Sequence, residues 1–250
     1  MFDTSVIIPA RGEEKRIGPY ALDSLLKQTY RNFEVIVVND PTVIDSTPDV
    51  IESYKSKFED IGAKLRLISQ PKDRLGPGGA RNVGVENSKA SKDSMLGFMD
   101  ADVKASQNAV GAFVELSKYY NDIVGVGFPI YLESNFPPYT LAYDIGNKMS
   151  AFSTRIGRAE LRNLFGYTNE EIFEEKFNEG RLTNEDHSTS KRMAKRGRIA
   201  WIPDVYGIAS SRRLDKLGLL KSSFTFMDMF LRAKVLGRGT SMDTKYTDVR

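Results

Sequence analysis

Met95-Leu96-Gly97-Phe98-Met99-Asp100-Ala101-Asp102 is an apolar run that stops at two carboxylates one residue apart. A run this short and this apolar reads as a strand buried on both faces. A buried strand that hands acids to solvent at its carboxyl end is how an open α/β sheet presents a ligand site. Two hard oxygen donors there suit a divalent cation, Mg or Mn, which most often serves a phosphate or diphosphate. The same letters also read as a strand followed by an Asp-rich turn. The flanking sequence has to separate the two.

Upstream, apolar runs and helical periodicities alternate. Ser5 to Ile8, Phe33 to Val38, Leu65 to Ile68 and Ser94 to Met99 read as strands. Between them Ile17 to Gln28, Thr47 to Phe58 and Ala80 to Asn87 read as helices, with Thr47 a candidate N-cap and Pro48 in the first turn. This β-α-β rhythm predicts an α/β fold: a Rossmann-like, mostly parallel sheet flanked by helices, in one continuous domain. Downstream, helices are expected at 108–120, 158–164, 169–177, 185–196, 214–219 and 222–235. Strands are expected at 123–130 and 199–202, and a loop or insertion at 133–150, where Phe136-Pro137-Pro138-Tyr139 breaks the periodicity. The domain is expected over 1–240, with a nucleotide-binding half to about 104, an acceptor-binding half from 105, and a loose tail over 241–250.

The bulk numbers bound the function. The chain has 250 residues, 40% hydrophobic and 28% charged, with a net charge of +3 and no cysteine. Disulfides, thiolate catalysis and cysteine-ligated zinc are excluded. Mixed charges of both signs give no nucleic-acid signature. No secretory leader pattern opens the chain, and no apolar run reaches the roughly 20 residues that span a bilayer. The expectation is a cytoplasmic protein, with peripheral contact at the inner face of the cell membrane left open through the apolar face of Phe224 to Leu231. A helix with one apolar face more commonly covers its own core.

In a parallel sheet all strand carboxyl ends share one edge, so segments distant in sequence should converge there. Pro9-Ala10-Arg11-Gly12-Glu13-Glu14 follows the first strand, Asn39-Asp40 the second, and Asp100-Ala101-Asp102 the fourth; Gly76-Pro77-Gly78-Gly79-Ala80-Arg81 opens the third helix. Asp40 can accept from a base N–H or a ribose hydroxyl. Glycines such as Gly79 let backbone approach a ligand, and a helix start supplies N–H groups and partial positive charge. Arg81, read in the first turn, can meet a base carbonyl or a phosphate. Each also has a plain structural reading as turn, loop or surface helix. Gly76-x-Gly78 lacks the third glycine of a dinucleotide fingerprint, and no Gly-Lys-Ser/Thr marks a P-loop. Downstream, Asn184-Glu185-Asp186-His187 opens a helix, where acids complement the dipole or supply a general base. Trp201 can stack on a sugar or simply pack.

Val6-Ile7-Ile8-Pro9-Ala10-Arg11-Gly12-Glu13-Glu14, Val35 to Asp40, Gly78 to Gly84, Phe98 to Asp102 and Asn184 to His187 together resemble family-2 glycosyltransferases of the GT-A fold, in order and spacing, from residue 5 to about 215. The resemblance implies inverting transfer of a single sugar from a nucleotide-diphosphate sugar to a hydroxyl of a glycan, lipid-linked or small-molecule acceptor. Pro9, Ala10 and Arg11 would line the base pocket, Glu13 approach the nucleoside, Asp40 bind the base, and Arg81 contact base or ribose-phosphate. Asp100 would touch ribose or sugar, and Asp102, with Asp100, hold the Mg or Mn ion that bridges the diphosphate. Asp186 would be the base, with Glu185 nearer the acceptor. Arg212 and Arg213 match an arginine-bearing segment after the acceptor region. Asp40, Asp102 and Asp186 are expected to gather around a single ion. Pro41-Thr42 stands where the family often has Gly-Ser, and Gly12 where it often has Asn. No Gln-x-x-Arg-Trp run of processive synthases is present. A sugar-phosphate nucleotidyltransferase, using Arg11 or Lys15 on a triphosphate, and an inactive sugar-nucleotide-binding protein are the alternatives.

Overall fold

The computed structural model describes residues 1–74, 76–157, 161–179, 185–212 and 215. Four strands, β1 (Thr4–Ala10), β2 (Phe33–Asn39), β3 (Lys64–Ser69) and β4 (Met95–Met99), fall where the apolar runs predict them. A wide π-helical turn at Gly18–Leu22 leads into α1 (Asp23–Leu26), and α2 (Thr47–Asp60) and α3 (Gly76–Glu86) cross between strands. β5 (Val103–Ala105), α4 (Ala109–Tyr119), β6 (Ile123–Gly127) and β7 (Ile130–Glu133) follow, then α5 (Pro137–Arg155), β8 (Leu164–Thr168), α6 (Asn169–Glu175), α7 (Glu185–Met193), β9 (Arg198–Trp201) and β10 (Gly207–Ser210).

The main sheet has the order β3-β2-β1-β4-β8-β6-β9. β1 pairs in parallel with β2 and β4, β2 with β3, and β6 with β9, while β8 runs antiparallel to both β4 and β6. Six strands therefore end at one rim, and only β8 starts there. A second sheet, β5-β10-β7, lies beyond it. The pleat sends alternate side chains to two cores. Val6, Ile8, Val35 and Val37 pack with Phe58 of α2 and Phe113 of α4. Ile7, Ile36, Leu96, Phe98, Phe165 and Tyr167 pack beneath Ala80 and Val83 of α3 and Met193 of α7. Phe98 stacks on Phe165 at 5.4 Å between centroids, fixing β4 to β8 where the acids emerge.

Three expectations need correction. The stretch 133–150, read as a loop, is mostly α5, because its buried side is Tyr139, Asn147, Ser150 and Thr154, which carries almost no apolar period. The helix expected at 158–164 is not found: 158–160 lie outside the described residues, and Leu164 already opens β8. The strand expected at 123–130 is two strands, β6 and β7. The helices expected beyond Asp215, the Phe224 to Leu231 face and the tail lie outside the described residues.

Candidate active site

The β1, β2 and β4 ends do meet along one rim. The Asp40 N–H donates to the Ala10 carbonyl (2.8 Å), tying the end of β2 to that of β1. Arg11 Nε reaches Asp40 Oδ2 at 3.0 Å, while Asp40 Oδ1 accepts from the Thr42 N–H (2.9 Å) and hydroxyl (2.7 Å). Asp40 thus shapes its own turn and stays 18% exposed at the side chain. Pro9 is half-buried and Ala10 buried at the same strand end. The Glu13 N–H donates to Thr47 Oγ1 (2.9 Å), so the loop after β1 is pinned to the start of α2.

Arg212 joins two of the acids. Its Nη2 lies 3.0 Å from Glu13 Oε1 and 3.3 Å from Asp102 Oδ2. The Ser210 N–H donates to the Asp102 carbonyl (3.0 Å), so β10 delivers Arg212 to this spot. Burial lifts the Glu13 carboxyl to about 6; Arg212 opposes the rise and Asp102 adds to it.

Arg81 joins the next two. The helix starts at Gly76, so Arg81 sits in its second turn and points inward, not in the first turn as its sequence position suggested. Its guanidinium donates to Asp100 Oδ1 (2.8 Å) and to Glu185 Oε1, and it lies 5.6 Å from the rings of both Phe165 and Phe177. Only 3% of its side chain is exposed. Burial works against its charge, but Glu185, Asp100 and Asp186 outweigh that and hold it firmly protonated. A guanidinium so engaged ties the two acids together. Asn163, at φ 58°, clamps the same acid: its Nδ2 donates to Asp100 Oδ2 (3.0 Å) and its carbonyl accepts from the Asp100 N–H (2.9 Å). No sequence signal marked Asn163. Burial lifts Asp100 to about 6, with Arg81 opposing and Asp102 and Glu185 adding; a side chain still 30% exposed tempers that rise.

Asp186 follows Glu185 in the first turn of α7. Burial raises its carboxyl well above the usual carboxylate range, with the Glu185 charge adding and Arg81 opposing. α7 is held to the sheet through Ser190, whose hydroxyl donates to the Asp186 carbonyl (2.7 Å) and is 2.9 Å from the Tyr167 hydroxyl. Asn184 lies outside the described residues.

Other expected residues take different places. A Cβ on Gly79 would lie 2.7 Å from the Arg74 carbonyl carbon, and one on Gly78 2.3 Å from the Asn178 carbonyl oxygen. These glycines let protein backbone approach α3. Trp201 ends the edge strand β9 and packs over Gly127. Arg213 lies outside the described residues.

Among the described residues no three His, Cys, Asp or Glu side chains are grouped to hold a metal ion. Asp40, Asp102 and Asp186 therefore do not surround one ion: Asp40 is paired with Arg11, Asp102 with Arg212, and Asp186 lies beside the Arg81 pair. A cation that completes its shell with a diphosphate needs only one or two protein carboxylates. Asp100 and Asp102 keep 30% and 25% side-chain exposure at the rim, and Asp102 already accepts a positive group, Arg212. The residues fit an ion of that kind.

The family model described as glycosyl transferase family 2 matches residues 5–180. The chain is 34% identical over 125 residues to the uncharacterized glycosyltransferase EpsJ of Bacillus subtilis, a stretch that is 50% of this chain and 33% of EpsJ. The fold is similar to Staphylococcus aureus TarS in complex with UDP-GlcNAc, at TM-score 0.66 and 22% identity, over 85% of this chain and 59% of that one. It is also similar to a mannosyltransferase of Pyrobaculum calidifontis in complex with GDP-Man and Mn2+, at TM-score 0.67 and 17% identity, over 96% of this chain and 65% of that one. The matched stretch is about a third of EpsJ's own length.

Proposed function

The chain belongs to glycosyl transferase family 2, and from that premise we propose that it moves one sugar from a nucleotide-diphosphate sugar to an acceptor hydroxyl, with inversion and with Asp186 as general base. The observation that carries the proposal is the Arg81 bridge. One buried guanidinium binds Asp100 of the β4 turn and Glu185 of α7, so the donor turn and the Asp186 helix are held as a single unit.

The donor nucleoside lies at the β1 and β2 ends, where Pro9, Ala10 and Arg11 flank the base and Asp40 accepts from it. Asp100 and Asp102 would hold a divalent Mg or Mn ion, which would supply positive charge to the departing diphosphate. The acceptor oxygen approaches the anomeric carbon from the face opposite the leaving group. Asp186 accepts the hydroxyl proton as the new C–O bond forms and the old one breaks, releasing nucleoside diphosphate. A raised pKa keeps Asp186 basic enough for that proton, since a base works best when its pKa lies near the working pH. Fixing donor and acceptor in line supplies much of the remaining acceleration. The acceptor is a glycan, lipid-linked glycan or small molecule bound on the β6–β10 half.

Asp186→Asn tests the base assignment directly. Transfer is expected to fall by about 10²–10⁴-fold while nucleoside diphosphate binding, measured by titration calorimetry, stays within twofold. Full transfer activity in that variant removes Asp186 from the mechanism.

A further inference from the structure

The second sheet, β5-β10-β7, keeps one face in the core and shows the other to solvent. Val103, Ala105, Ile130, Leu132 and Ala209 point inward and are buried. The residues between them point outward, as strand alternation requires. Register aligns them: Lys104, Ile208 and Tyr131 form one row across the sheet, and Ser210 and Glu133 lie in the next. The β5–β10 ladder runs on at both ends. The Ser106 N–H donates to the Tyr206 carbonyl (2.8 Å), and the Ser210 N–H to the Asp102 carbonyl (3.0 Å). Asp102, flanked by buried Ala101 and Val103, therefore falls on the same face as Lys104. One surface runs from Tyr206 to Asp102 at the rim, with about 13 Å of β10 between Tyr206 and Ser210.

Away from Asp102 this face is aromatic. Tyr131 and Tyr206 are 43% and 38% exposed, with ring centroids 5.7 Å apart and planes at 70°. Towards Asp102 it is polar and fixed. Lys104 Nζ lies 2.6 Å from Glu133 Oε1 and 4.5 Å from the centre of the Tyr20 ring, and the Tyr20 hydroxyl donates to Glu133. These groups separate possible occupants. A nucleic acid or an anionic lipid surface asks for uncancelled positive charge, and Lys104 is spent on Glu133. A lipid surface or a packed helix also asks for an aliphatic stripe, and among the described residues Ile208 is the one aliphatic side chain on the face. Strand length and spacing give the face roughly 150 Å², against about 800 Å² per partner for a standard protein interface. Sugar rings suit both its size and its chemistry. The C–H face of a pyranose packs on an aromatic ring, and its hydroxyls bond to carboxylate and ammonium groups.

We infer that the outer face of β5-β10-β7 is a subsite for an oligosaccharide acceptor, whose rings pack on Tyr131 and Tyr206 and whose hydroxyls meet Glu133 and Lys104. The sheet then leads one end of the chain of sugars towards the rim at Asp102. The acceptor role rests on the glycosyltransferase reading above; the sugar-binding face itself does not.

Titration calorimetry of the full chain with cellohexaose, maltohexaose, mannohexaose and chitohexaose, each beside its monosaccharide, tests it. At least one of these oligosaccharides is expected to bind, and more tightly than its monosaccharide. Tyr131→Ala/Tyr206→Ala is expected to weaken that binding by about tenfold or more, as loss of anchoring aromatics does. Tyr131→Phe/Tyr206→Phe keeps the rings and should stay within about threefold of the wild type. Unchanged melting and unchanged nucleoside diphosphate binding show that each variant is folded and its donor site intact. No binding of any of the four oligosaccharides, or equal binding by Tyr131→Ala/Tyr206→Ala, overturns the inference. So does a wild-type dimer that this variant turns into a monomer without any oligosaccharide binding, which assigns the face to a second copy. Nucleoside diphosphate binding without oligosaccharide binding overturns this inference alone. Tyrosine-dependent oligosaccharide binding with neither nucleoside diphosphate binding nor sugar transfer leaves the sugar face standing and removes the glycosyltransferase reading instead.

Discussion

Arg81 is the residue on which the site turns. Its two carboxylate partners, Asp100 and Glu185, are on elements far apart in the sequence, and it is almost wholly out of water. Breaking a buried pair by removing one partner leaves a buried charge uncompensated, at a cost of about 3–5 kcal/mol. Arg81→Ala is expected to lower stability by that amount in a urea melt. Arg81→Lys keeps the charge but not the two-pronged geometry, and should recover less than half of the loss. A loss under about 1 kcal/mol in Arg81→Ala would show the pair to be solvated after all. At Asp186 the same scale yields a pH effect. A general base must be deprotonated, so kcat/KM falls as pH drops through its pKa. Because burial raises that pKa, the acid limb is expected well above the ordinary carboxylate value of about 4. A limb at about 4 would mean that the working site does not desolvate Asp186. The acids themselves were legible in the sequence, since Asp40, Asp100 and Asp102 follow apolar strands and Glu185 and Asp186 open a helix. The direction of Arg81 was not: a basic residue near a helix start reads the same facing ligand or core. Asn163 and the Arg212 link depend on how distant loops fold together, which no local pattern encodes.

At the scale of elements, α3 shows how one glycine-rich stretch serves two readings. Gly78 and Gly79 look like a ligand cradle, yet the space above them holds the backbone of Asn178 and Arg74. Gly79→Ala should therefore overpack the contact and cost about 1–3 kcal/mol of stability, with nucleotide affinity unchanged in calorimetry. Lost affinity at full stability would instead place Gly79 against the nucleotide. The central strands were readable because burial on both faces leaves an apolar run, as in Val35 to Val38. α5 was not, because its apolar residues face outward and its packed side is polar, so its pattern carries no sign of a core-facing helix. β8 was lost for a different reason: Leu164-Phe165-Gly166-Tyr167-Thr168 is short and lies directly after Asn163, where the chain turns through a left-handed conformation.

Across the whole molecule, the parallel sheet does the positioning. Six strand ends on one rim bring residues 9–13, 40 and 100–102 together, and β10 and α7 add Arg212 and Asp186 from the far end of the chain. The acids are then held by arginines in separate pairs, not as one ring around an ion. An incoming cation and diphosphate would meet Asp102 where Arg212 now sits, so binding of the two should be interdependent. Titration calorimetry of UDP and of GDP, each with and without Mn2+, into the wild type and Asp102→Asn measures this most directly. The account expects at least one of the two nucleotides to bind, more tightly with Mn2+ than without, and that gain to vanish in Asp102→Asn. No binding of either nucleotide under any of these conditions, or a metal-dependent gain that survives in Asp102→Asn, would contradict it.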